Sequence, residues 1–162
     1  MLTILIRKGS LNDLNTLQSL FTATIQTVCR ADYNEEQIRV WSSGAKNQER
    51  WYDILTKQEV FVAEINNQVV GFTTLYQGSY IDMFYVHKDF QGMGIARKLY
   101  TQTEQLAKTI GSVKLSAHVS ITARPFFERS GFRVVKQQTV MREEVTLINY
   151  HMEKILANNP VS

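Results

Sequence analysis

This 162-residue sequence predicts an α/β, more narrowly α+β, domain built on a mostly antiparallel sheet, and three observations predict it. The chain opens on a short apolar run followed at once by a helical period. Between residues 60 and 86 the period becomes that of strands, interrupted by two tight-turn signals. The last of these strands then passes through a glycine-containing loop into a long amphipathic helix, the alternation expected of helices packed on a sheet.

Taken in order, residues 2–6 (Leu-Thr-Ile-Leu-Ile) read as a buried first strand, and Ser10 can cap a helix that carries Leu14, Leu17, Leu20, Phe21 and Ile25 on one face. A second helix is expected over about residues 34–43. A third holds Trp51, Ile54 and Leu55, set off by the polar break Ser42-Ser43-Gly44. These early helices are expected to form a flexible lid. Residues 60–65 and 69–76 are β-branched and aromatic, and Asn66-Asn67 between them suits a hairpin turn. After Gln77-Gly78-Ser79, alternation over residues 80–86 places Tyr80, Asp82, Phe84 and Val86 on one face and Ile81, Met83 and Tyr85 on the other. Ile95, Leu99, Leu106 and Ile110 mark the long helix, which Gly111 can terminate. A strand over residues 113–118 follows, then a short helix capped by Thr122, carrying Pro125 in its first turn and ended by Gly131. Residues 134–140 and 145–155 close the chain as a hairpin. One domain over residues 1–156 and a tail at 157–162 are expected, with no repeat or internal linker.

Composition narrows the function classes. The apolar fraction of 44% is enough for one substantial core, and no run is long enough for a signal peptide or a bilayer span, so a cytoplasmic protein without a membrane partner is expected. Cys29 is the single cysteine, which rules out an internal disulfide. The net charge of +3 is slight and dispersed, giving no nucleic-acid footprint. The histidines lack ligand spacing, so no metal is expected.

The loop Gln91, Gly92, Met93, Gly94, Ile95 and Ala96 sits between strand and helix, where unshielded amides and the positive end of a helix dipole suit a diphosphate. A Walker loop needs Lys-Ser/Thr after its second glycine, but Ile95 and Ala96 stand there. The dinucleotide fingerprint needs a small residue where Arg97 stands.

The pattern Gln-x-x-Gly-x-Ala, preceded by Tyr85-Val86 and followed by an amphipathic helix, resembles motif A of the GNAT superfamily of acyl-CoA-dependent N-acetyltransferases. Residues 2–20 resemble that family's first strand and helix, residues 60–76 its hairpin, and residues 120–132 its second cofactor segment. The resemblance implies helices on both faces of a sheet that splays at the cofactor site, with acetyl-CoA (coenzyme A) as cofactor. It further implies that backbone groups near Phe84, Tyr85 and Val86 bind the pantetheine arm, that residues 91–96 hold the pyrophosphate, and that the acetyl group passes by direct attack to an amine of a small molecule or peptide. Arg97 either adds a phosphate contact or is a solvated helix residue. A homodimer is compatible with this reading.

Asp82 is the first candidate for the base, or alternatively a carboxylate that binds the amine's charge, and Glu64 is a second. His118, at a strand end, can relay a proton near neutral pH or simply be an exposed histidine. Many superfamily members carry Asn-x-x-Ala-x-x-Phe-Tyr in the second segment; here it reads Ser120-Ile121-Thr122-Ala123-Arg124-Pro125-Phe126-Phe127. Ser120 keeps a hydrogen-bond donor, but Phe127 lacks the hydroxyl that would protonate the leaving thiolate. Water or another side chain such as Tyr80 or Tyr150 would then supply that proton. The alternatives are that the thiolate leaves unaided, or that the domain is an acyl-CoA sensor or interaction module with little turnover. Cys29 is a minor candidate for acylation, and Tyr33, Trp41 and Trp51 are candidate acceptor contacts or packing residues.

Overall fold

A computed structural model describes residues 2–156. In chain order these form β1 (Leu5–Lys8), α1 (Leu14–Val28), α2 (Glu35–Ser42), α3 (Gln48–Lys57), β2 (Glu59–Ile65), β3 (Gln68–Tyr76), β4 (Tyr80–Val86), α4 (Ile95–Ile110), β5 (Lys114–Ser120), α5 (Arg124–Arg129), β6 (Arg133–Arg142) and β7 (Val145–Ile155). The tail expected over residues 157–162 lies outside the described residues. The strands make one sheet in the order β1-β2-β3-β4-β5-β7-β6, antiparallel at every junction except β4–β5. The mixed, mostly antiparallel sheet expected from the sequence is therefore present.

Local sequence explains most elements. Asn66 and Asn67 both take left-handed φ values, 50° and 65°, as the two-residue hairpin between β2 and β3 requires. Ser10 accepts from the Asn12 amide while Asp13 accepts from the Ser10 amide, a reciprocal cap on the short turn that leads into α1. Gly111 ends α4 with φ 95°.

Three expectations need correction. The first strand lies at residues 5–8, not 2–6, and it is an edge strand rather than a buried one. Leu2 and Leu5 are exposed, whereas Ile4 and Ile6 pack against the core. Arg7 belongs to the strand because its guanidinium meets Asp13 at 2.7 Å and Glu64 at 3.1 Å, so the charge never lacks a partner. Glu64 is thereby a structural ion-pair member, two strands away from the cleft described below. The start of α5 also differs: its N-cap is Ala123 with no side-chain cap, Thr122 instead donates to Asp32 at 2.8 Å, and the Ser120 hydroxyl accepts from the Ala123 amide at 3.0 Å in the turn before the helix.

The helices cover both faces. Leu17, Ile25, Trp51 and Ile54 from α1 and α3 join Val62, Phe72 and Met83 in one cluster. On the opposite face Ile95 and Leu99 of α4 pack on Ala63 and Val70, and Tyr100 and Phe127 pack on Leu115 and Met152. Trp51 is 0% exposed and donates its indole N–H to the Gly44 carbonyl at 3.0 Å. Displacing α1 and α3 would return several such side chains to water at about 2 kcal/mol each. They therefore form a fixed wall, and the loose lid expected from the sequence is replaced by core packing.

Candidate active site

The parallel junction between β4 and β5 is nearly absent. Only Tyr80↔Ser116 and Ile81↔Ala117 pair, and beyond them the two strands diverge. The cause lies one residue further along β4. Opposite β3, Leu75 pairs with Ile81 and Thr74 with Met83, leaving Asp82 as an extra residue in a β-bulge, where the Met83 amide turns to the Thr74 hydroxyl at 3.1 Å. A bulge bends its strand and increases its twist, which swings the end of β4 away from β5.

The bulge also reverses the side-chain phase. Ile81, Phe84 and Val86 lie toward α4 and α5, whereas Met83 and Tyr85 lie with the α1–α3 cluster. Asp82 joins this second side, bonded to Arg50 and Gln58 at the two ends of α3. Uninterrupted alternation had grouped Asp82 with Phe84 and Val86, and the extra residue overturns that grouping.

The gap leaves main-chain groups of β4 without a neighbour. The His87 amide donates to the Val70 carbonyl at 2.8 Å, so alternation assigns Tyr85 to the β3 ladder and turns the N–H and C=O groups of Phe84 and Val86 toward the gap. The Val86 carbonyl is already taken, accepting from the Thr24 hydroxyl at 3.0 Å and the Gln91 amide side chain at 2.8 Å. Among the described residues Phe84 keeps both groups free and Val86 its N–H. Of the three residues named from the sequence, Tyr85 contributes its ring instead, packed against Phe21 at 4.9 Å.

At the mouth of the gap the loop turns through Gly92 at φ 73° and Gly94 at φ 84°. A Cβ added to either glycine would meet nothing within 4 Å, so both glycines border open space. Among the described residues none of the amides of Gln91, Gly92, Met93, Gly94, Ile95 or Ala96 finds a protein acceptor. Ile95, 1% exposed, pins the first turn of α4 into the core, while Met93 is exposed away from the cleft and Arg97 is exposed along it. An open turn of unpaired amides at the N-terminus of a sixteen-residue helix is the environment a diphosphate requires.

The gap and loop merge into one cleft of about 1080 Å³ lined from both faces of the sheet, large enough for an extended ligand arm and a second small molecule. His118 is the first β5 residue beyond the last β4 pair, its ring 5.6 Å from Tyr80 and 5.4 Å from its cross-strand partner His151. Partial burial, and then the nearby His151, depress its pKa below the ordinary 6.5, against a smaller opposing pull from Asp82. Asp82 is held by Arg50 at 2.9 Å and by Gln58 at 2.7 Å. Ser120 lies on the β5 side of the cleft and retains its hydroxyl proton for donation. Phe127 is 3% exposed, its ring 5.7 Å from Phe84 and 5.0 Å from Phe132, and forms part of the cleft wall.

Several sequence candidates are placed elsewhere. Tyr150 lies beneath the Arg124 guanidinium at 4.5 Å and does not line the cleft, and Trp51 is wholly core. The Cys29 thiol lines the cleft but burial pushes its pKa up to about 11, leaving it protonated and unreactive at neutral pH. Tyr33, in contrast, is a staple: its hydroxyl accepts from the Ile121 amide at 2.9 Å and donates to the Ile148 carbonyl at 2.7 Å, fixing the far wall. Arg50, Thr24 and this role of Tyr33 went unforeseen because each depends on a partner tens of residues away.

Comparison with known proteins places the chain in a family. Residues 29–154 match the family model described as the Acetyltransferase (GNAT) domain. The chain is 35% identical over 149 residues to the uncharacterized N-acetyltransferase YafP of Escherichia coli (strain K12), covering 92% of this chain and 94% of that protein. Among solved structures it superposes with a TM-score of 0.91 and 30% identity on a GCN5-related N-acetyltransferase from Rhodopseudomonas palustris, covering 95% of this chain and 96% of that one. The PaiA N-acetyltransferase of Thermoplasma acidophilum, solved in complex with coenzyme A, shares the fold at a TM-score of 0.78 and 19% identity, over 95% of this chain and 99% of that one.

Proposed function

Because the chain belongs to the GNAT acetyltransferase family, we propose that it moves an acetyl group from acetyl-CoA to an amine that enters from the α1–α2 side of the β4–β5 gap. The observation that carries this reading is the open glycine turn at the mouth of a strand gap whose β4 edge still has main-chain groups to offer. Bound there, acetyl-CoA supplies a thioester carbonyl that an amine attacks directly. The free N–H and C=O of Phe84 and the N–H of Val86 receive the pantetheine arm as a neighbouring strand would. The amides of residues 91–96 and the N-terminus of α4 hold the diphosphate, with Arg97 adding a cation.

His118 takes the proton from the acceptor's ammonium. Its depressed pKa leaves the imidazole neutral, and so able to accept, at pH 7. Asp82 stays paired with Arg50, so it positions α3 and favours the imidazolium once formed, rather than acting as the base itself. Ser120 donates its remaining proton into the gap. Phe127 brings no proton, so the departing sulfur is protonated from water in the open cleft.

Calorimetry of the intact protein tests the premise: acetyl-CoA and CoA bind, and ATP at the same concentration does not displace them. Release of free thiol with a panel of amines then tests transfer. Phe127 favours one other reading, an acyl-CoA-binding module with little turnover, and tight binding without thiol release on any amine would select it.

A further inference from the structure

The α1–α2 half of the cleft has an unbalanced charge. Its charged side chains are Arg50, Asp82 and Arg142, and the first two neutralise each other at 2.9 Å. Arg142 ends β6 directly opposite Val145, whose side chain belongs to the cluster under α1 and α2, so both residues share that face. Among the described residues Arg142 enters no ion pair, and the adjacent Glu143 is engaged by Arg39 at 3.8 Å. Beside it the cross-strand pair Val140 and Leu147 lines the cleft with apolar surface. One strand step further Gln138 donates to the Asn149 side-chain carbonyl at 3.0 Å, which leaves the Asn149 amide group facing the cleft as a neutral donor.

We infer that the acceptor is an amine that also carries an anionic group, carboxylate or phosphate, bound by Arg142 while its apolar part lies on Val140 and Leu147. This rests on the acetyltransferase reading above. A guanidinium presents a planar fork of donors that matches either anion, and among the described residues neither Glu143 nor Glu144 in the adjoining turn forms an ion pair with Arg142. Polyamines and basic peptides fit poorly, since a second cation would approach the like charge of Arg142.

The test uses full-length protein, acetyl-CoA and matched acceptor pairs: leucine with leucinamide, O-phosphoethanolamine with ethanolamine, and spermidine. Leucinamide and ethanolamine lack the anion. The leucinamide amine is also less protonated at neutral pH, so intrinsic reactivity alone would favour the amide. The anionic member of one pair is expected to show kcat/KM about tenfold higher than its neutral partner, the scale of one charge-assisted hydrogen bond at a partly exposed site. Whichever pair shows the preference identifies the anion. Arg142→Gln should raise KM for that anionic member about tenfold with kcat little changed, and leave its neutral partner and the KM for acetyl-CoA unaffected. Arg142→Lys should restore part of the loss. Equal or better turnover of the neutral members, preference for spermidine, or equal loss on both members of a pair would overturn the anion subsite while leaving acetyl transfer intact. Intact acetyl-CoA binding without thiol release from any acceptor would instead sink the transfer reading, and this inference with it.

Discussion

The two halves of the cleft are made of different materials. On the α4 side the chemistry belongs to the main chain: free groups of Phe84 and Val86, and the amides around Gly92 and Gly94. On the α1–α2 side it belongs to side chains brought from distant segments, with Arg50 meeting Asp82, His118 meeting His151, and Tyr33 reaching Ile121 and Ile148. A main-chain site needs only a local conformation, so a few consecutive residues can specify it. A side-chain site needs the whole fold, and its specificity is correspondingly free to vary.

Substitutions can break or sharpen this contrast. His118→Gln is expected to have the largest effect, lowering kcat about a hundredfold while acetyl-CoA binding stays within a factor of about two. Because the His118 pKa is depressed, the neutral base persists as the medium is acidified, so the acid limb of kcat/KM in the parent protein should lie below pH 6.5 and vanish in the variant. Should Asp82→Asn remove that limb while His118→Gln keeps it, the carboxylate is the base.

Gly94→Val works on the other half. A β-branched residue at φ 84° is strained, and its side chain would project into the open side of the loop. The Kd for acetyl-CoA by calorimetry should rise about tenfold to a hundredfold with the circular dichroism spectrum unchanged. An unaltered Kd would mean the diphosphate lies elsewhere.

Tyr33→Phe strips two main-chain groups of their shared partner, the Ile121 amide and the Ile148 carbonyl. Urea denaturation should report a loss of about 1–3 kcal/mol, with acetyl-CoA affinity preserved because the cofactor half does not depend on that wall. The smallest effect is expected from Phe127→Tyr, which places a hydroxyl at the cleft wall and should raise kcat severalfold if protonation of the sulfur limits turnover. A flat response in single-turnover measurements would assign the slow step elsewhere.

The same contrast decides what was legible in the sequence. Strands β2, β3 and β4, the helix α4 and the glycine loop carry their own periodicity and turn residues, and they appear at nearly the expected positions. The bulge at Asp82 leaves no local mark, because the run of residues 80–86 contains no glycine or proline and its alternation runs unbroken through it. The exposed edge strand β1 was misplaced for a related reason: Arg7 looks like a terminator until Asp13 and Glu64 are known to hold it. Glu64 and Asp82 look equivalent as carboxylates in the sequence, yet one closes an ion pair on the outer strands and the other lies beside the gap. The early helices read as a lid because their apolar positions do not reveal the depth at which Trp51 is buried.

The supernumerary residue at position 82 also works as a wedge in its strand. Deleting one amino acid there would keep Met83, Phe84 and Tyr85 opposite Thr74, Thr73 and Phe72 and on their present faces, but would remove the bend that parts β4 from β5 and let the seam between them close. A single codon thus separates a continuous sheet from one with a doorway.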